Sequence, residues 1–206
     1  MRKMTLTRWL WTLLLVLVAG LQLWEQANRP PEKTPAPQAS EMFETLRDAR
    51  LVDDPTNDGD SFKIEHANGV QVFRLHFVDC PEKRDYKLVN GRLKDQAAYF
   101  GGISVSRTLR VAKKALEFTE SLLRAGNFTV HTRWRQVYDH DRFYVVIFFP
   151  DGAELSEKLV RAGLCRIYTT GTMLPDGRDE FTFEKHLREL EREARAAARG
   201  AWGEIK

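Results

Sequence analysis

The sequence has little surplus of either charge: 32 Lys and Arg stand against 29 Asp and Glu, a net +3 over 206 residues. That balance suits a polyanionic partner without declaring one, because a dedicated nucleic-acid surface carries a stronger basic excess. Cysteine is scarce as well. Cys80 and Cys165 stand too far apart in sequence for a paired-cysteine metal or redox motif, so they are two free thiols or one disulfide. No internal repeat is visible, and a chain that is 43% hydrophobic at this length buries one ordinary core rather than two.

Only one long apolar run is present, Trp9 to Trp24 (WLWTLLLVLVAGLQLW), preceded by Arg2, Lys3 and Arg8. At 1.5 Å per residue such a helix spans roughly 24 Å, between a signal-peptide core and a full membrane span. Trp9, Trp11 and Trp24 lie near its ends as interfacial aromatics do, and no Ala-x-Ala site follows, Val18 and Gly20 offering only a poor substitute. An N-terminal hydrophobic helix is therefore expected at 1–24, as an uncleaved signal-anchor or a cleaved signal peptide. The preceding positive residues place the N-terminus in the cytoplasm and the rest on the extracytoplasmic side, membrane-anchored or secreted. Residues 25–41 hold four prolines and almost no large apolar side chains, which predicts a semi-extended linker. The globular domain is expected over 42–206.

Within it, SFKIE and VQVFRLHFV flank His66-Ala67-Asn68-Gly69, a strong hairpin signal. Phe73, Leu75 and Phe77 alternate with Arg74 and His76, so Arg74 points away from the apolar face. Residues 106–124 read as a helix with Leu109, Ala112, Leu116, Leu122 and Leu123 at helical spacing. NFTVHTRW and RFYVVIFF read as two more strands, followed by a Pro150-Asp151-Gly152 turn. AELSEKLVRA is a short helix closed by Gly163, and LCRIY a brief strand. A last helix over 183–199 aligns Phe183, Leu187, Leu190, Ala194 and Ala197, with Glu184/Arg188 and Glu191/Arg195 at i,i+4. The order predicts a small α+β domain built on a barrel with about three helices.

The candidate chemistry sits in four short pieces: Asp58-Gly59-Asp60, Phe73-Arg74-Leu75, Val78-Asp79-Cys80-Pro81-Glu82 and Asp139-His140-Asp141-Arg142. Two carboxylates at the ends of adjacent strands can share one hard cation. Arginines supply planar, permanently charged donors to phosphate oxygens. In this order, with Leu159-Val160-Arg161-Ala162-Gly163-Leu164 and Ala201-Trp202-Gly203 beyond them, the pieces resemble the thermonuclease (staphylococcal-nuclease-like) family.

That resemblance implies a five-stranded OB-fold barrel and a Ca²⁺-dependent nuclease acting on DNA and/or RNA, expected as a monomer. It implies Asp60, Asp79 and the Cys80 backbone carbonyl as metal ligands, Glu82 as general base, and Arg74 and Arg142 as transition-state donors. Cysteine stands at position 80 where the family has threonine, a change that a backbone ligand tolerates. The family also has a glycine just before the distal arginine, whereas Asp141 precedes Arg142, and Asp139 and Asp141 could pair with it. His131 and His140 lack the spacing of paired metal ligands. Asn127-Phe128-Thr129 fits a glycosylation sequon but falls at a strand start.

Between Glu82 and the first predicted helix the chain runs longer than the family's compact loop. This segment is expected to form a substrate-facing rim, with Lys83, Arg84 and Tyr86 binding substrate, further charge from Lys87, Arg92 and Lys94, and Tyr99 and Phe100 free to stack on bases. The alternative reading packs QAAYF onto the barrel. The same resemblance brings Cys80 and Cys165 close, where an oxidising compartment would permit a disulfide. The competing function is a catalytically silent OB-fold module that binds nucleic acid or protein.

Overall fold

The computed structural model describes residues 42–86, 90–138 and 141–205. The N-terminal apolar run, the linker, Lys87, Asp139 and His140 lie outside the described residues. No helix among the described residues is long and apolar enough to cross a membrane.

The described residues form eight strands and four α-helices. β1 (Glu44–Leu46), β2 (Arg50–Leu51), β3 (Ser61–His66), β4 (Gly69–Leu75), β6 (Thr129–Gln136) and β7 (Arg142–Phe148) form one sheet in the order β1-β6-β7-β4-β3-β2. All its pairings are antiparallel except β4 with β7, which is parallel. β5 (Val78–Asp79) and β8 (Arg166–Ile167) pair as a separate two-stranded ladder. The expected five-stranded closed barrel is thus corrected to an open six-stranded mixed sheet with a small accessory ladder, still OB-like and α+β. β1 and β2 are only 3 and 2 residues long, too short to show a period in the sequence.

The helices are α1 (Asn90–Tyr99), α2 (Val105–Arg124), α3 (Leu155–Arg161) and α4 (Glu180–Ala196), followed by a 3₁₀ turn at Gly200–Glu204. α1 is a fourth helix where a surface rim was expected. It is held by Leu93, Gln96 and Phe100, none exposed, so the reading that packs QAAYF onto the core is the correct one. Phe100 meets Trp202 edge-on at 5.0 Å, and the Tyr99 hydroxyl donates to Glu191. Neither ring is free to stack on a base.

α2 turns small residues to the core: Thr108, Val111, Ala112, Ala115 and Thr119 are buried with Leu123, while Leu109, Leu116 and Leu122 are only half-buried. This lets the backbone at Gly59 come close. A Cβ at Gly59 would sit 2.8 Å from the Ala115 Cβ and 2.9 Å from the Cys80 Sγ. The Thr119 hydroxyl donates to the Gly59 carbonyl at 2.7 Å. α4 buries Phe183, Leu187, Leu190 and Ala194 as expected, but ends at Ala196 and leaves Ala197 exposed.

Candidate active site

β3 and β4 bring the first elements of the site together. Ser61 lies opposite Arg74 across the hairpin, and Leu75 donates its N–H to the Asp60 carbonyl at 2.9 Å. Arg74 is buried on the face opposite Phe73 and Leu75, as the alternation predicts. Its guanidinium reaches the Asp60 carboxylate at 3.0 Å through Nη1 and the Asp79 carboxylate at 2.7 Å through Nη2.

Asp79 is delivered by a tight reversal. Phe77 takes a φ of +68°, and Val78 N–H donates to the His76 carbonyl at 2.9 Å, the i to i+2 bond of a γ-turn. A bulky residue in that region costs roughly 1–3 kcal/mol. The surroundings over-determine it: Phe77 N–H donates to Thr170 at 3.1 Å, its carbonyl accepts from Tyr168 at 2.9 Å, and its ring packs edge-on against Phe183 at 4.8 Å. The strand alternation therefore ends at Leu75, although Phe77 is buried.

The register of β5 with β8 places Asp79 directly opposite Arg166. Four side chains then converge on one carboxylate. Asp79 Oδ1 accepts from Arg74 and from Arg92 Nη2 at 2.5 Å, and Oδ2 from Arg166 Nε at 2.7 Å and Gln96 Nε2 at 2.8 Å. Burial pushes the Asp79 pKa up, but Arg92, Arg74, Gln96 and Arg166 outweigh it and hold the carboxyl below its usual range. Asp60, equally buried, accepts from Cys80 N–H at 2.5 Å and shares only Arg74, and burial raises its pKa. Asp58, one turn of the loop away, is pushed up to about 7 by burial and by Asp60 beside it.

Glu82 accepts from Arg92 Nη1 at 2.9 Å, and its own N–H donates to Gln96 Oε1 at 3.0 Å. Burial raises its pKa, the direction that suits a proton acceptor working near neutrality. Arg142 opens β7 beside Val72 and lines the same cavity of about 640 Å³ as Arg74, Asp79, Arg92 and Arg166. It makes no ion pair or side-chain hydrogen bond with another described residue, Asp141 included. Burial and the neighbouring Arg74 lower its pKa, Asp60 opposes them in part, and the residue lines the cavity.

The residues expected on the rim divide. Lys83 donates its ammonium to the Pro55 and Asn57 carbonyls, tying the Glu82 loop to the Asp58 loop. Arg84 and Tyr86 are exposed. Two residues were not singled out by the sequence at all, Gln96 and Arg166, and Arg92 was noted only as surface charge. Nothing in the sequence marks them, because each acts through a contact made across at least 13 positions.

Cys80 and Cys165 are free thiols, both buried and near enough to influence each other. Burial raises both thiol pKa values, so neither is a ready nucleophile.

The donor set fits a hard cation. Gln96 Nε2 lies 2.8 Å from Asp79 Oδ2 and 3.0 Å from the Cys80 carbonyl, so these two oxygens face a common point, and one guanidinium spans Asp60 Oδ1 and Asp79 Oδ1. The described residues hold no group of three carboxylate, imidazole or thiol ligands. A cation here would rest on two carboxylates, the carbonyl and water, as Ca²⁺ and Mg²⁺ accept.

A family model described as staphylococcal nuclease homologue matches residues 72–204, which include Arg74, Asp79, Cys80, Glu82 and Arg142 but not Asp60. No curated protein matches the chain.

Proposed function

Because the chain belongs to the staphylococcal nuclease homologue family, we propose that it is a Ca²⁺-dependent nuclease that hydrolyses phosphodiester bonds of DNA and/or RNA. The observation that carries this is the ion-paired cluster of Asp60, Asp79 and Glu82 beside a cavity that Asp79 lines together with Arg74, Arg92, Arg142 and Arg166. An acid cluster alone would repel a phosphodiester. Arginines at its edge invite one.

In this reading Asp60, Asp79 and the Cys80 carbonyl hold the cation, which when bound would neutralise charge on a phosphate oxygen. Glu82, with its raised pKa, accepts the proton of an attacking water. Arg142 meets the phosphate from the open side, and Arg74 holds the two aspartates in register while remaining within the same cavity. Arg84 and Tyr86 border the approach as substrate contacts, with Lys83 holding the loop that carries them. Beyond the site, the N-terminal apolar run supports export, with the domain held by an uncleaved anchor or secreted as a monomer.

The test is degradation of single-stranded DNA and RNA by the full chain, with Ca²⁺ or with chelator, beside Glu82→Gln. The expected result is calcium-dependent cleavage that the variant loses by about 10²-fold or more. Folded wild-type protein that cleaves neither polymer would transfer the assignment to a silent binding module.

A further inference from the structure

Arg92 engages a carboxylate that a bound cation would need. Its two terminal nitrogens grip Asp79 Oδ1 at 2.5 Å and Glu82 Oε1 at 2.9 Å, so one side chain engages a metal-ligand carboxylate and the general base together. Resting on the calcium reading above, we infer that Arg92 is a built-in competitor for the metal position, an internal cation that α1 holds against the acid cluster until a divalent ion displaces it.

Three observations carry the inference. The first is charge. Asp60, Asp79 and Glu82 are already matched by Arg74, Arg92 and Arg166, three against three within one connected cluster. A dication added to that balanced set, most of it out of water, leaves an uncompensated double charge unless a resident cation departs.

The second is which cation can depart. The side chains of Arg74 and Arg166 are 9% and 6% exposed, whereas that of Arg92 is 43% exposed. Only Arg92 can swing into solvent and regain hydration there. Its helix has no need to move, because Leu93, Gln96, Ala97 and Phe100 hold α1 to the core independently of the arginine.

The third is what release does. With Arg92 withdrawn, the Glu82 carboxylate loses its ion-pair partner, while Gln96 still fixes the loop through the Glu82 N–H. The same movement that vacates the cation position therefore frees the base. Metal loading and base activation are coupled through one side chain, and Arg92 positions rather than reacts.

Calorimetric titration of the full chain with Ca²⁺ tests this without reference to activity. Hydrogen bonds to charged groups are strong enough that Arg92→Gln should bind Ca²⁺ about tenfold more tightly than wild type. Arg92→Lys keeps one charge but cannot grip two carboxylates, and should bind with intermediate affinity. It reads the same competition if the glutamine variant loses its cooperative thermal transition. Equal or weaker affinity in the folded variants overturns the competition while leaving the calcium reading intact. Absence of Ca²⁺ binding in wild type and variants alike overturns both.

Discussion

Asp79 and Glu154 are equally hidden, each 1% exposed, yet their electrostatic settings are opposite. Asp79 lies among three guanidinium groups and an amide, and its carboxyl is held below the usual range. Glu154 caps α3, accepts from Ser156 N–H at 2.6 Å, and has no ion-pair partner among the described residues; burial pushes it up to about 8. The difference teaches that burial by itself drives a carboxyl toward its neutral form, and only partners of opposite charge keep it ionised. One site holds a carboxylate as an anion. The other stores one as a hydrogen-bonding fixture.

The largest expected effect comes from removing the cation that joins the two aspartates. Arg74→Met should abolish cleavage and cost about 3–5 kcal/mol, because it leaves two buried carboxylates short of their shared partner. Chemical denaturation together with the nuclease assay checks both parts; a loss of activity at unchanged stability would show that the cluster does not need Arg74 to stay buried. Arg166→Met removes one of four donors to Asp79 and should cost less, about 1–3 kcal/mol. Its signature is structural before it is catalytic.

Glu154→Gln sharpens the other side of the comparison. The folded pKa is raised from 4.5 to about 8, so the unfolded chain gives up its proton first, and the wild type loses stability as pH climbs through that window. The variant should gain on the wild type as pH rises from 5 to 8, by roughly 3 kcal/mol over that range. Melting temperatures at the two pH values decide it, and a constant difference would mean that Glu154 does not titrate there. At the bottom of the scale, Arg188→Ala breaks only an exposed i,i+4 pair with Glu184 on α4 and should cost about 0.3–0.5 kcal/mol.

The same contrast explains what could be read from the chain. Asp60, Arg74, Asp79 and Glu82 announce themselves because each sits at the end of a strand or in a short turn, where local pattern fixes its place. The hairpin, β7, α3 with Gly163 behind it and most of α4 were legible for the same reason. α1 was not, because its window opens on Asn90-Gly91, which reads as a turn, and offers few apolar side chains to set a period. α2 follows the expected span and buries Ala112 and Leu123 as its spacing predicts, but Leu109 and Leu116 are only half-buried because the small residues Thr108, Ala115 and Thr119 face the core and admit Gly59. Arg92, Gln96 and Arg166 were hidden because polar residues at ordinary positions carry no signal until the fold closes around Asp79.

The junction between α3 and the 3₁₀ turn has a consequence of another kind. A Cβ at Gly163 would lie 2.4 Å from the Arg199 carbonyl, and one at Gly200 would lie 2.4 Å from the carbonyls of Ala162 and Gly163. Here two bare stretches of backbone lie against each other, joined by Ala201 N–H donating to Gly163 at 2.9 Å. That clasp seats Trp202 over Phe100 and Tyr99, and so secures the helix that carries Arg92 and Gln96. Trp202 follows every residue of the cluster in the chain. On a ribosome, which delivers the chain from its N-terminus, the acid cluster acquires its final bracing only after all of its own members have been made.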